Sequence, residues 1–243
     1  MIRHRRSQLP LARLVSAIRS GSHFGRGKLL VVLIGGAVGL GAPSGAAAAT
    51  VSSFGFNGSF ANAYYRFDPA ACVRWTTSVD AVDGRSHDNL TGQTSRSTAS
   101  ITIIRQDVCD PSASTVWYSG WTYLGPDDFD VAGNLGSASL NTTIVVLPYA
   151  DCCDRRFPIG FPRTVRIALT WDGSNAPMTH DTSNSTDPFW DYGRLVTVRD
   201  STMLRAAVAS GTISDGTIDY TSDHQSASAR LTRTTQGIVA IKG

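Results

Sequence analysis

The chain has 243 residues, with 22 basic and 19 acidic side chains and a formal net charge of +3. Seven of the 22 basic residues lie before residue 50 and none of the acids do, so the remainder carries 15 basic against 19 acidic side chains, a net of −4. That remainder lacks the clustered Lys and Arg on which phosphate-backbone contacts depend, so nucleic acid is set aside as a partner.

Residues 1–49 read as a cleavable signal helix. Arg3, Arg5, Arg6, Arg13, Arg19, Arg26 and Lys28 precede an apolar run, Leu29 to Ala42, and small residues from Ser44 to Ala49 follow it. A basic segment, a short apolar segment and an A-x-A-like site form the pattern of a secretory leader. The apolar run has 14 residues, four of them glycine, which is short of the roughly 20 needed to span a bilayer. Cleavage is expected after Ala47 to Ala49. No second apolar span follows, so no membrane span is expected in the mature chain. Residues 50–243 are read as a single secreted domain.

The mature part is poor in helix formers. The chain has no Glu, and Lys242 is the only Lys beyond the leader. Ser, Thr, Val, Ile, Gly and Asp dominate instead, a mixture of strand and turn residues. Segments with a two-residue period follow in order: Val51–Phe56, Phe60–Phe67, Val73–Val79, Ala99–Arg105, Thr115–Leu124, Ser137–Val146, Thr164–Trp171, Arg194–Arg199, Leu204–Ile213, Ser226–Thr234 and Gly237–Ile241. Turn signals punctuate them at Asp83-Gly84, Gly125-Pro126-Asp127, Asp172-Gly173, Asp215-Gly216 and Gln236-Gly237. The stretch from Gly173 to Tyr192 lacks periodicity and is expected to be a long surface loop. The predicted fold class is all-β: an antiparallel β-sandwich, jelly-roll or immunoglobulin-like in general architecture. The antibody-type signature itself fails, because Trp75 follows Cys72 by only three residues and Asp107, not Tyr, stands two before Cys109. A faint echo links Ser119-Gly120-Trp121 to Ser210-Gly211-Thr212.

Four cysteines, Cys72, Cys109, Cys152 and Cys153, lie beyond the leader. An even count in an exported chain predicts two disulfides. The favoured pairing joins Cys72 and Cys109 each to one member of the 152–153 doublet. The alternative is a Cys72–Cys109 bridge with the doublet closed or free.

Candidate chemistry is sparse. Three histidines adjoin an aspartate, at His87-Asp88, His180-Asp181 and Asp223-His224. Neighbours on an extended chain point to opposite faces, so these pairs read as solvated rather than as dyads. Without Glu, a glycosidase would need two Asp, drawn from Asp127, Asp128 and Asp130 or from Asp187 and Asp191. Asp127, Asp128 and Asp130 also form the candidate metal site. Their hard oxygen ligands suit Ca²⁺, although Ala132 and Ser139 break the EF-hand pattern. Calcium is the one candidate cofactor. Alternation puts Trp117, Trp121 and Tyr123 on one face of a strand, with core packing as their expected use and a sugar-stacking platform as the alternative. Trp190 and Tyr192, beside Phe189, form a second candidate contact surface. The reading is a secreted, non-enzymatic β-domain with a structural or surface-interaction role towards an extracellular partner. A polysaccharide- or polymer-binding module is the first alternative and an Asp-dependent hydrolase the second.

Overall fold

The computed structural model describes residues 50–89, 91–110, 112–150, 158–189, 194–221 and 228–242. The leader, Cys152, Cys153, Trp190, Asp191, Tyr192, Asp223 and His224 lie outside the described residues.

Ten strands and no helix make up the described chain, so the all-β expectation is met. They are β1 (Thr50–Ala70), β2 (Val73–Asp88), β3 (Gly92–Asp107), β4 (Val116–Tyr123), β5 (Phe129–Val131), β6 (Ser137–Ala150), β7 (Arg163–Asp172), β8 (Met178–Phe189), β9 (Arg194–Ser214) and β10 (Ser228–Lys242). All the strand pairings among them are antiparallel.

Three pairs of expected segments are each one strand. The Asp83-Gly84 and Gln236-Gly237 turn signals fall inside β2 and β10. Gly84 pairs with Gly58 on one side and Arg96 on the other, and Gly237 pairs with Gly55 and Arg199. At Gly84 the missing side chain makes room for the Phe56 ring, whose Cε2 would lie 2.8 Å from a Cβ placed there. An aromatic laid over strand glycines restores the contact that they lack.

The long loop expected over Gly173 to Tyr192 is corrected. Residues 178–189 are strand β8, paired with β9 from Met178↔Arg205 to Phe189↔Arg194. It is an edge strand whose side chains from Met178 to Thr186 are exposed. With neither face against a core, it shows no apolar period, and its Asp, Asn and Pro residues suit an unpaired edge.

The strands form one ladder in the order β10-β1-β2-β3-β4-β6-β7-β9-β8, and β9 also pairs β10. The path from β1 through β9 and β10 therefore returns to its start. Two strands turn the corners. β6 pairs β7 through residues 137–146 and β4 through residues 147–150. β9 pairs β7 through residues 208–214, and β8 and β10 through residues before 208.

The enclosed core draws on all sides of this ring. β1, β2 and β3 give Ala61, Ala63, Tyr65, Trp75, Val79, Ala81, Ile101 and Ile103; β6, β7 and β9 give Leu140, Ile144, Val146, Ile167, Leu169, Trp171 and Ile213. Trp171, 1% exposed, reaches across to donate its Nε1–H to the Asn62 carbonyl at 2.9 Å. Its polar atom is thereby satisfied in the interior, as burial requires.

The two glycines of the faint sequence echo share a structural reason. A Cβ at Gly120 would strike the Val145 carbonyl and lie 2.9 Å from Ile144 Cγ2. A Cβ at Gly211, at φ +127°, would strike the Ala168 carbonyl. Both sit where backbones press together, a standard role for strand glycine. Gly120→Ala should lower the unfolding free energy by about 2 kcal/mol through overpacking. Gly237→Ala, with nothing within 4 Å of the new methyl, should change it by less than about 0.5 kcal/mol. Urea denaturation of the two variants measures the contrast.

Cys72 and Cys109 are bonded to each other, with Cα atoms 5.0 Å apart, so the favoured cross-pairing with the 152–153 doublet is corrected. The reason is the register. Val73↔Asp107 is the last pair of the β2–β3 ladder, and Val108 N–H donates to Cys72 O just beyond it. The two cysteines flank that ladder end and need no further chain movement to meet. Non-reducing peptide mapping should recover a Cys72–Cys109 peptide pair, and replacing both by Ser should cost about 3 kcal/mol of stability.

Candidate functional site

The interior dictates which side chains of β4 are left for solvent. Tyr118, opposite buried Ile103, packs on the core with its ring centroid 6.3 Å from that of Trp75. Gly120 faces β6. The alternate residues Trp117, Ser119, Trp121 and Tyr123 are turned outwards. Trp121 is 55% exposed and Tyr123 59% exposed, so the expected core use of these two rings is corrected. Trp117 is half-buried, opposite Ile104 and Tyr149, and does not join the open pair.

The Trp121 and Tyr123 centroids are 5.0 Å apart with the rings at 86°. This edge-to-face contact is a favourable aromatic geometry. Perpendicular rings cannot both lie flat on one ligand face, so the pair offers one stacking face and one ring edge.

The surrounding register is polar. Trp121 stands opposite Ser100, Ser100 opposite Asp80, Asp80 opposite Asn62, and Asn62 opposite Arg230. Asn62 Nδ2 donates to Asp80 Oδ1 at 2.6 Å, which holds both side chains in place. Four strand spacings make this row about 19 Å long. It combines an aromatic end, hydroxyl and amide groups in the middle and a guanidinium at the far end. The β4 ladder to β6 stops at Ser119↔Leu147, so Trp121 and Tyr123 occupy a stretch paired on one side only.

The other sequence candidates are placed differently. Asp128 caps its own turn: Gly125 N–H donates to Asp128 Oδ2 at 2.7 Å, and Asn141 N–H donates to the Asp128 carbonyl at 2.8 Å. Asp127 is exposed on that turn, and Asp130 is exposed on β5 opposite Ser139. Among the described residues, the one set of three potential metal ligands with atoms within 4.8 Å of one another is Cys72, Asp107 and Cys109. The two sulfurs are joined in the disulfide, and Asp107 Oδ1 accepts N–H groups of Cys109 and Asp110 at 2.9 and 3.0 Å. A thiolate metal site there would require reduction. His180 contacts Ser201 Oγ at 2.9 Å across β8 and β9. The second aromatic candidate, Trp190 and Tyr192, lies outside the described residues.

One polar cluster escaped the sequence. Asp215, its side chain 5% exposed, accepts from Arg163 Nη1 at 2.9 Å and from Tyr220 OH at 2.8 Å. Arg163 also lies 5.0 Å above the Tyr118 ring, and Tyr220 packs edge-on against Trp75. The only sequence signal was the Asp215-Gly216 turn. Burial opposes ionisation of Asp215, but N–H donation from Ile218 and Thr217, the Tyr220 hydroxyl and Arg163 outweigh it and hold the carboxyl below its usual range. Burial and the bond to Asp215 push the Tyr220 hydroxyl up.

No family model matches the chain, and no curated protein and no solved structure matches it either.

Asp215 links stability to pH. Its carboxyl ionises more readily folded than unfolded, so its contribution is complete above the unfolded value of about 3.9 and is lost as pH falls through the lower folded value. Asp215→Asn should therefore be less stable at pH 7 and should lose less stability than the parent between pH 5 and pH 2. Urea midpoints across that range measure it.

Proposed function

We propose that residues 50–243 form an exported, non-enzymatic β-domain, sandwich-like in general architecture, that binds an extracellular polysaccharide through the outer face of β4. The observation that carries this reading is the pair Trp121 and Tyr123, two large rings exposed side by side in an edge-to-face contact. Large rings held in water are costly to leave bare and are typical of contact surfaces. The adjoining Ser100, Asp80 and Asn62 supply the donors and acceptors that sugar hydroxyls need.

Export is supported by the leader-like residues 1–49 and by the Cys72–Cys109 disulfide, a bond that persists in oxidising compartments. The structural reading differs in one respect, since it requires no ligand at Trp121.

A glycan array followed by titration of the best polysaccharide tests the proposal. Trp121→Ala should weaken binding at least tenfold, and Tyr123→Ala should weaken it less. Both variants should keep the parent's unfolding midpoint, because neither ring is buried. An array without signal, or variants that bind like the parent, would leave the structural role.

A further inference from the structure

Beyond the buried row Ala99–Ala81–Ala61–Leu231, the ladder of β3, β2, β1, β10, β9 and β8 continues as a sheet with two solvent-facing sides. The side continuous with the ring interior carries Arg85, Arg199, Arg205 and Arg233 and a single acid, Asp83. Asp88, Asp181 and Asp200 fall on the opposite side by alternation. Side-chain bonds confirm the assignment: Asp83 accepts from Ser97 at 2.6 Å, and Arg233 donates to Ser59 at 3.3 Å, each bond joining directly opposed residues. The two faces thus differ in their acids: one is left with arginines and Asp83, while Arg96 on the other stands among Asp88, Asp181 and Asp200.

Two of these arginines are occupied. Arg233 also donates to the Gly133 carbonyl at 2.6 Å, and Arg205 packs against Gly173. Arg85 and Arg199 are exposed, and neither has a hydrogen-bond or ion-pair partner among the described residues. The surface between them is bare. His87 stands opposite Gly55, Gly55 opposite Gly237, and Gly237 opposite Arg199. A Cβ at Gly237 would meet nothing within 4 Å, and one at Gly55 only the His87 carbonyl at 4.0 Å. A concavity lies over the β2 side of this place, lined in part by Gly55, Asn57, Arg85, His87 and Thr235; Gly237 and Arg199 stand beside it by register and do not line it. Three strand spacings, about 14 Å, separate β2 from β9. Long guanidinium arms from both sides can converge over a floor that has no side chains.

We propose that this glycine-floored trough binds a tetrahedral oxyanion, a sulfate or phosphate group. Arg85 and Arg199 donate to it from opposite walls, and Asn57 and His87 provide the neutral contacts. Guanidinium forks suit tetrahedral oxyanions because they place two N–H donors on two oxygens. The group can arrive as the free ion or as an ester on a polymer. The trough lies on the other face from Trp121 and Tyr123, so it stands or falls separately from the site on β4.

Calorimetric titration of the full mature protein with sodium sulfate, sodium phosphate and a sulfated oligosaccharide tests it. Saturable binding is expected for at least one of the three. Arg85→Ala and Arg199→Ala should each weaken that binding about tenfold, the usual scale for a charged hydrogen bond. Gly237→Val should abolish it by filling the trough, without loss of stability, because the new side chain enters open space. Arg96→Ala, on the opposite face, should bind like the parent. Binding of the free ions identifies a small-anion site, and binding of the oligosaccharide alone identifies a polymer ester. Absence of saturable binding in all three, or parental affinity in both arginine variants, overturns the proposal.

Discussion

Strand β9 is the constraint on which the rest of the structure depends. A chain with no helix among its described residues must satisfy its backbone groups between strands, and an open ladder leaves edges bare. β9 resolves most of this by serving three neighbours. Its last residues close the ring against β7, and its first residues hold both β8 and β10. Gly211 permits the close approach to the β7 backbone at Ala168. If that contact opened, the interior lined by β6 and β7 would lose its cover.

Closure then sets what the interior can hold. An eight-stranded ring is just wide enough for side chains to fill. Trp171 crosses it to the backbone of β1, where Ala61 and Ala63 keep the facing wall small. Tyr220, anchored by Asp215, packs against Trp75 and joins Arg163 and Tyr118 in one cluster. With these rings inside, there is no place within for Trp121 and Tyr123. Their exposure follows from the parity of β4: Tyr118 and Gly120 take the inward positions, and the alternate residues must face water.

The sheet therefore offers two chemically distinct surfaces. Outside, an aromatic pair adjoins a polar row that ends at Arg230. On the opposite face, Arg85 and Arg199, without a hydrogen-bond or ion-pair partner among the described residues, stand either side of a bare glycine floor. Among the groups displaced from their ordinary ionisation, Asp215, Tyr220 and Tyr65 lie around the core, and the exposed Asp68, Asp110 and Asp172 are held low by hydrogen bonds from Arg74, Ser112 and Ser174.

Sequence and tertiary structure contributed different things. The all-β class was legible because Ser, Thr, Val and Ile in a two-residue period, with no Glu, leave a helix little support. The inward faces of β3, β6 and β7 were legible too, since Ile101, Leu140, Ile167 and Trp171 alternate with polar residues. β8 was illegible because an edge strand with both faces wet needs no apolar period; its evidence is its partner, β9. The Asp83-Gly84 and Gln236-Gly237 signals misled because a glycine beneath Phe56, or on the floor of a trough, has the same letters as a glycine in a turn. The disulfide depended on which strands are neighbours, and so did the fate of Trp121 and Tyr123. Local pattern decides the kind of element and its two faces; only closure of the ladder decides which face is inside, because that depends on strands far apart in the chain.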